Sequence, residues 1–141
     1  MAVEQPTEEE KMSNLDNLKQ GYEAFKRGDL DASTENFADD IEWENPNAPQ
    51  LPNAGTIKGK EDVKAFFAET PQYWSKFEIN ADEFIEQGDT VVVLGHTDAE
   101  GKDTGKSVKA PFVHVWRFGG DQVTRVQVLF DTALVADALG R

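Results

Sequence analysis

Apolar residues at Leu15, Leu18, Tyr22 and Phe25 recur in steps of three and four, which puts them on one face of a helix. Gly28 ends that helix, and Asp29 is placed to cap a second one carrying Leu30, Thr34 and Phe37. The segment Ile41-Glu42-Trp43-Glu44-Asn45 alternates and predicts a short strand. Pro46, Pro49, Pro52 and Gly55 then exclude helix and central strand from 45–58, a connection long enough to serve as a rim or lid. A third helix fits 60–69, with Glu61 and Asp62 in its first turn and Val63, Phe66 and Phe67 as its buried stripe. Beyond Tyr73-Trp74 the period drops to two. Strands are predicted over 76–86, 90–99, 107–118 and 122–130, separated by glycine-bearing turns. A last helix opens near Asp131, with Leu134, Val135, Ala138 and Leu139 inward.

Helices first and long antiparallel strands afterwards define an α+β domain. The strand over 107–118 places Phe112, His114 and Trp116 on one face and Val113, Val115 and Arg117 on the other. A sheet that is apolar on both faces needs cover on both. The helices supply one cover, and a second copy of the chain, a homodimer through the sheet face, is the expected source of the other.

Composition narrows the functional classes. Residues 1–13 hold Glu4, Glu8, Glu9 and Glu10 with little to bury, so they read as a flexible acidic segment ahead of a single domain over 14–141. The net charge of −13 argues against nucleic-acid and membrane-surface partners. No cysteine is present, which removes disulfides, thiolate nucleophiles and cysteine metal sites. The N-terminal residues lack the apolar stretch of a signal peptide, and a cytoplasmic location is expected. His96 and His114 are the only side chains that titrate near neutrality unperturbed. Two histidines without a spaced motif do not make a metal site, and no phosphate-binding glycine pattern is present, so neither metal nor cofactor is expected.

The stretches Tyr22-Glu23-Ala24-Phe25-Lys26-Arg27-Gly28-Asp29, Phe37-Ala38-Asp39-Asp40-Ile41-Glu42-Trp43 and Ile57-Lys58-Gly59-Lys60-Glu61 occur in a telling order. With Val115-Trp116-Arg117-Phe118 and Phe130-Asp131-Thr132-Ala133, they resemble the nuclear transport factor two-like superfamily, in its ketosteroid isomerase-like or SnoaL-like branch. The resemblance implies a cone-shaped half-barrel, in which a curved, mostly antiparallel sheet wraps around three N-terminal helices and a short C-terminal helix follows. It also implies a pocket for a small hydrophobic or carbonyl-containing molecule, and a possible cofactor-free isomerase, cyclase or dehydratase. It does not select one chemistry, because the fold carries many.

Residue by residue, the isomerase's carboxylate base matches Asn45 within Glu44-Asn45-Pro46, its donor tyrosine matches Tyr22, its protonated aspartate matches His114, and a pocket tryptophan matches Phe130. The candidate catalytic residues are therefore His114, Tyr22, Asn45 and, as a substitute base, Asp131, whose alternative role is an N-cap. An amide cannot abstract a proton from carbon, so the loss of the carboxylate favours a non-catalytic binder as the alternative. Trp43, Phe66, Tyr73, Trp74, Phe112, Trp116 and Phe130 are the candidate cavity walls. An epoxide hydrolase would need paired carboxylates beside a basic group, and no such trio can be placed inward.

Overall fold

A computed structural model describes residues 13–141. The flexible segment expected over 1–13 lies outside the described residues, apart from Ser13. Its hydroxyl accepts from the Asp16 N–H at 3.0 Å and caps α1 (Asn14–Lys26). Leu15, Leu18, Tyr22 and Phe25 of α1 all pack against the main core, as their spacing requires.

Asp29 caps α2 (Leu30–Ser33) by accepting from the Ala32 N–H at 3.1 Å. The expectation that this helix continues through Thr34 and Phe37 is not met. The Thr34 hydroxyl donates to the Leu30 carbonyl at 2.8 Å, the Phe37 N–H donates to the Thr34 carbonyl at 3.0 Å, and Phe37 opens β1 (Phe37–Glu44). A hydroxyl that bonds back to the chain competes with helix propagation.

Next come β2 (Thr56–Lys58), α3 (Lys60–Ala68) and α4 (Thr70–Tyr73). The long strands are β3 (Trp74–Gln87), β4 (Thr90–Gly101), β5 (Ser107–Gly119) and β6 (Gln122–Phe130), and α5 (Thr132–Ala138) closes the chain. Neither β2 nor α4 is legible from periodicity: they are only 3 and 4 residues long. In α5, Ala136 rather than Leu134 turns inward, packing on Ala48 and Leu51, and Leu134 is 40% exposed.

The six strands order as β2-β1-β6-β5-β4-β3, antiparallel except for β1 against β6. Register aligns Val91, Trp116, Val126 and Trp43 across four strands, then Val93, His114 and Val128, then Gly95, Phe112 and Phe130. These rows make the concave face on which α1 lies. Irregularities at Ala81/Glu83 and Arg117/Phe118 let strands of this length curve. The result is an open, curved α+β half-barrel with helices inside the curve.

Gly95 makes room for an aromatic ring on the concave face. A Cβ there would lie 2.1 Å from the Asn80 carbonyl oxygen and 2.5 Å from Cζ of Phe112. Its absence lets the Phe112 ring lie against β4 and stack on His114, with centroids 3.9 Å apart.

Candidate functional site

The curve of the sheet and the helices enclose a cavity of about 220 Å³. The walls include Tyr22 and Phe25 from α1, Trp43 from β1, Phe66 and Phe67 from α3, Trp74 and Phe77 from β3, and Phe112, His114 and Trp116 from β5. Asn45, Pro46, Leu51 and Pro52 contribute from the proline-rich connection, Phe130 from β6, and Val135 and Leu139 from the C-terminal segment. Among the described residues, no Asp, Glu, Lys or Arg lines it.

Inside this apolar volume the polar groups are few and tightly arranged. The Tyr22 hydroxyl lies 2.6 Å from Nδ1 of His114, and the Trp116 indole N–H donates to the same hydroxyl at 2.8 Å. Burial alone drops the His114 imidazole from its ordinary 6.5 to about 3, so it is neutral near pH 7. Burial also pushes the Tyr22 phenol far above its ordinary range, only partly offset by the indole, so its proton stays on.

Proton counting then favours one tautomer. An indole can only donate, so the phenol oxygen accepts from Trp116. The phenol's own proton needs an acceptor, and Nδ1 of His114 is the one that the described residues offer. Nδ1 therefore accepts, and the imidazole proton resides on Nε2. No described residue bonds to Nε2, and no fully buried side-chain nitrogen or oxygen among the described residues is left unpartnered, so Nε2–H opens onto the cavity. The site presents this donor in an uncharged, largely aromatic hollow, whose lining also carries the polar side chains of Asn17, Asn36 and Thr97.

Asn45 lines the cavity but is committed elsewhere. Its Oδ1 accepts from the Trp43 indole at 3.0 Å and its Nδ2 donates to the Asn53 carbonyl at 3.0 Å. Asn53, at φ 56°, donates in turn to Glu69 at 2.9 Å. The amide thus pins the proline-rich connection against α3's end, and both readings of Asn45, pocket wall and turn anchor, apply at once. Asn53 and Glu69 were missed from sequence; the Asn53-Ala54-Gly55 turn was the available signal.

Asp131 caps α5, accepting from the Leu134 N–H at 3.0 Å, and does not line the cavity, so it is corrected from substitute base to structural cap. Tyr73 also falls outside the lining, its ring lying 6.0 Å from the Arg141 guanidinium carbon. Trp43, Phe66, Trp74, Phe112, Trp116 and Phe130 line it. His96 cannot converge with His114: His114 pairs with Val93, whereas His96 pairs with Pro111 three residues on, which puts the two imidazoles on opposite faces. His96 instead sits between Asp82 (2.7 Å) and Asp98 (3.5 Å), and no metal-holding group of three side chains occurs among the described residues.

A six-stranded half-barrel closed over an apolar hollow by N-terminal helices defines the class: an α+β cone fold. The chain matches the model of the SnoaL-like domain over residues 18–126 and belongs to that family. It is similar to a nuclear transport factor 2-like protein of unknown function from Burkholderia pseudomallei K96243, at 32% identity over 91% of this chain and 98% of that one, with a TM-score of 0.85. It is also similar to TerC co-crystallised with polyporic acid, at 28% identity over 91% and 98% of the two chains, TM-score 0.83. A putative SnoaL-like polyketide cyclase from Shewanella denitrificans OS-217 shares the fold at 18% identity, over 90% and 96%, TM-score 0.72. No curated protein matches the chain.

Proposed function

We propose that the protein binds a neutral, largely apolar carbonyl compound in this cavity, with its oxygen accepting from Nε2–H of His114. The observation that carries this reading is a lining without any charged side chain, in which the imidazole supplies a directed donor. An ionised ligand would be stripped of water with no counter-charge to meet it. Flat aromatic ligands suit walls built from Trp43, Phe66, Phe112 and Trp116. That a relative at 28% identity was co-crystallised with a small organic molecule supports the same use of the fold.

The lining also bears on catalysis. Asn45 is an amide, Asp131 lies outside, and His114 has Nδ1 occupied and Nε2 protonated, so the walls offer no acceptor for a carbon-bound proton. Binding or carriage is therefore the reading, ahead of a base-catalysed isomerase, cyclase or dehydratase.

Tryptophans in the wall make the test direct. Fluorenone, a planar neutral ketone, is expected to quench Trp43, Trp74 and Trp116 saturably, and its carboxylate derivative to bind about a hundredfold more weakly. Equal affinity for both, or none for fluorenone, contradicts the proposal.

We also propose that two copies pair through the outer sheet face. Ile85 is 47% and Leu129 55% exposed, and they join half-buried Val92, Leu94, Val113 and Val115 in one band. Arg117 and Arg125 lie at one end of the band, Asp82 and Asp98 at the other. A two-fold axis through the band sets each end against its opposite, which supports a second copy as the occupant.

A further inference from the structure

Resting on the reading that His114 donates to a ligand, we propose that the Tyr22 phenol, polarised by Trp116, orients the His114 proton toward the cavity, which makes the cavity select hydrogen-bond acceptors over donors. Neither residue needs to touch the ligand's polar atom to do this. Both are positioning residues that work through His114.

Imidazole is ambivalent by nature: its neutral form can offer either nitrogen as donor. With Nδ1 protonated, the cavity-facing Nε2 would be an acceptor and would hold a ligand N–H or O–H. What removes the ambiguity here is the phenol proton of Tyr22, for which Nδ1 of His114 at 2.6 Å is the acceptor that the described residues offer. Trp116 donates to the same hydroxyl at 2.8 Å, which leaves the oxygen a second lone pair but polarises its O–H as a donor. The phenol hydrogen on Nδ1 then sends the imidazole's proton to the cavity side. Phe112 stacks on the ring with centroids 3.9 Å apart. Donation into Nδ1 also polarises the ring and strengthens Nε2–H as a donor.

The direction of these bonds predicts what their removal does. In Tyr22→Phe nothing holds the Nδ1 proton off, so both tautomers become accessible. In Trp116→Phe the phenol still gives its proton to Nδ1 but loses the indole that polarises it, so the bias toward Nε2–H weakens without vanishing.

Two readouts test this. In the ligand-free wild type, the imidazole nitrogen chemical shifts should report a His114 protonated on Nε2 alone, in Tyr22→Phe a mixture or the reverse, and in Trp116→Phe a result closer to the wild type. Separately, fluorenone (acceptor only) and carbazole (donor only) have nearly the same tricyclic shape. The wild type should prefer fluorenone by about tenfold, and Tyr22→Phe should erase most of that preference without a matching loss in carbazole affinity. A wild-type spectrum showing Nδ1–H or a mixture overturns the proposal, as does a fluorenone preference that survives Tyr22→Phe. If neither tricycle binds, the ligand reading fails, and the ligand-free spectra still decide whether the phenol sets the tautomer. Should Tyr22→Phe not fold, the wild-type spectrum decides the question in the same way.

Discussion

His114 stands mid-strand between Phe112 and Trp116, where an imidazole without a partner would cost more than the strand could bear. Its environment makes a two-sided prediction about pH. Between about 3 in the fold and its ordinary 6.5, the unfolded chain binds a proton that folded His114 refuses. Stability therefore rises with pH across that window and is progressively lost as pH falls from about 6.5 toward about 3. Tyr22 has the opposite sign: its phenol is raised above the ordinary 10.0, so folding holds a proton that the unfolded chain releases, and stability falls as pH climbs beyond 10.0. Denaturant midpoints of the wild type and His114→Gln at about pH 4 and about pH 7 isolate the histidine's share. The wild type should lose more than the variant on acidification. Parallel losses would mean that the imidazole is not a buried, neutral group. The meeting of Tyr22 and His114 was legible from the sequence through the family motif positions. The donor role of Trp116 was not, because its partner lies 94 residues away in the chain and only the folded sheet brings them together.

At the scale of elements, what could be read in advance was set by length and alternation. Helix α1 and strands β3 to β6 are long enough for their apolar period to stand out, and they fall where that period places them. The region of Phe37 misled because Leu30, Thr34 and Phe37 keep helical spacing, whereas the irregular pairing of β1 with β6 between Phe37 and Glu42 breaks the alternation that would have revealed a strand. Strand β2 is held by its register on β1, a long-range cause that local pattern cannot carry. The outer face of the sheet has its own consequence. Leu129→Glu puts a charge on the most exposed large apolar side chain of the band, so native mass spectrometry should find dimer in the wild type and monomer in the variant. A wild-type monomer at micromolar concentration would contradict pairing through this face.

Across the whole molecule, a net charge of −13 surrounds a cavity whose described lining carries none. Charge is confined to the surface and to the outer sheet face, where Glu44 and Arg125 pair at 2.7 Å, and the interior is left to aromatic contact and uncharged polar groups. The proline-rich connection, pinned by Asn45, and the C-terminal helix, capped by Asp131, close the hollow from two sides without supplying a reactive group. This division of labour is what the proposed binding role rests on. The most direct measurement follows the His114 Nε2–H resonance while a neutral ketone is titrated in. A downfield displacement of that proton, saturating with the same dissociation constant as tryptophan quenching, is the predicted result. A proton that stays unmoved while the ketone binds would contradict the donor role of His114.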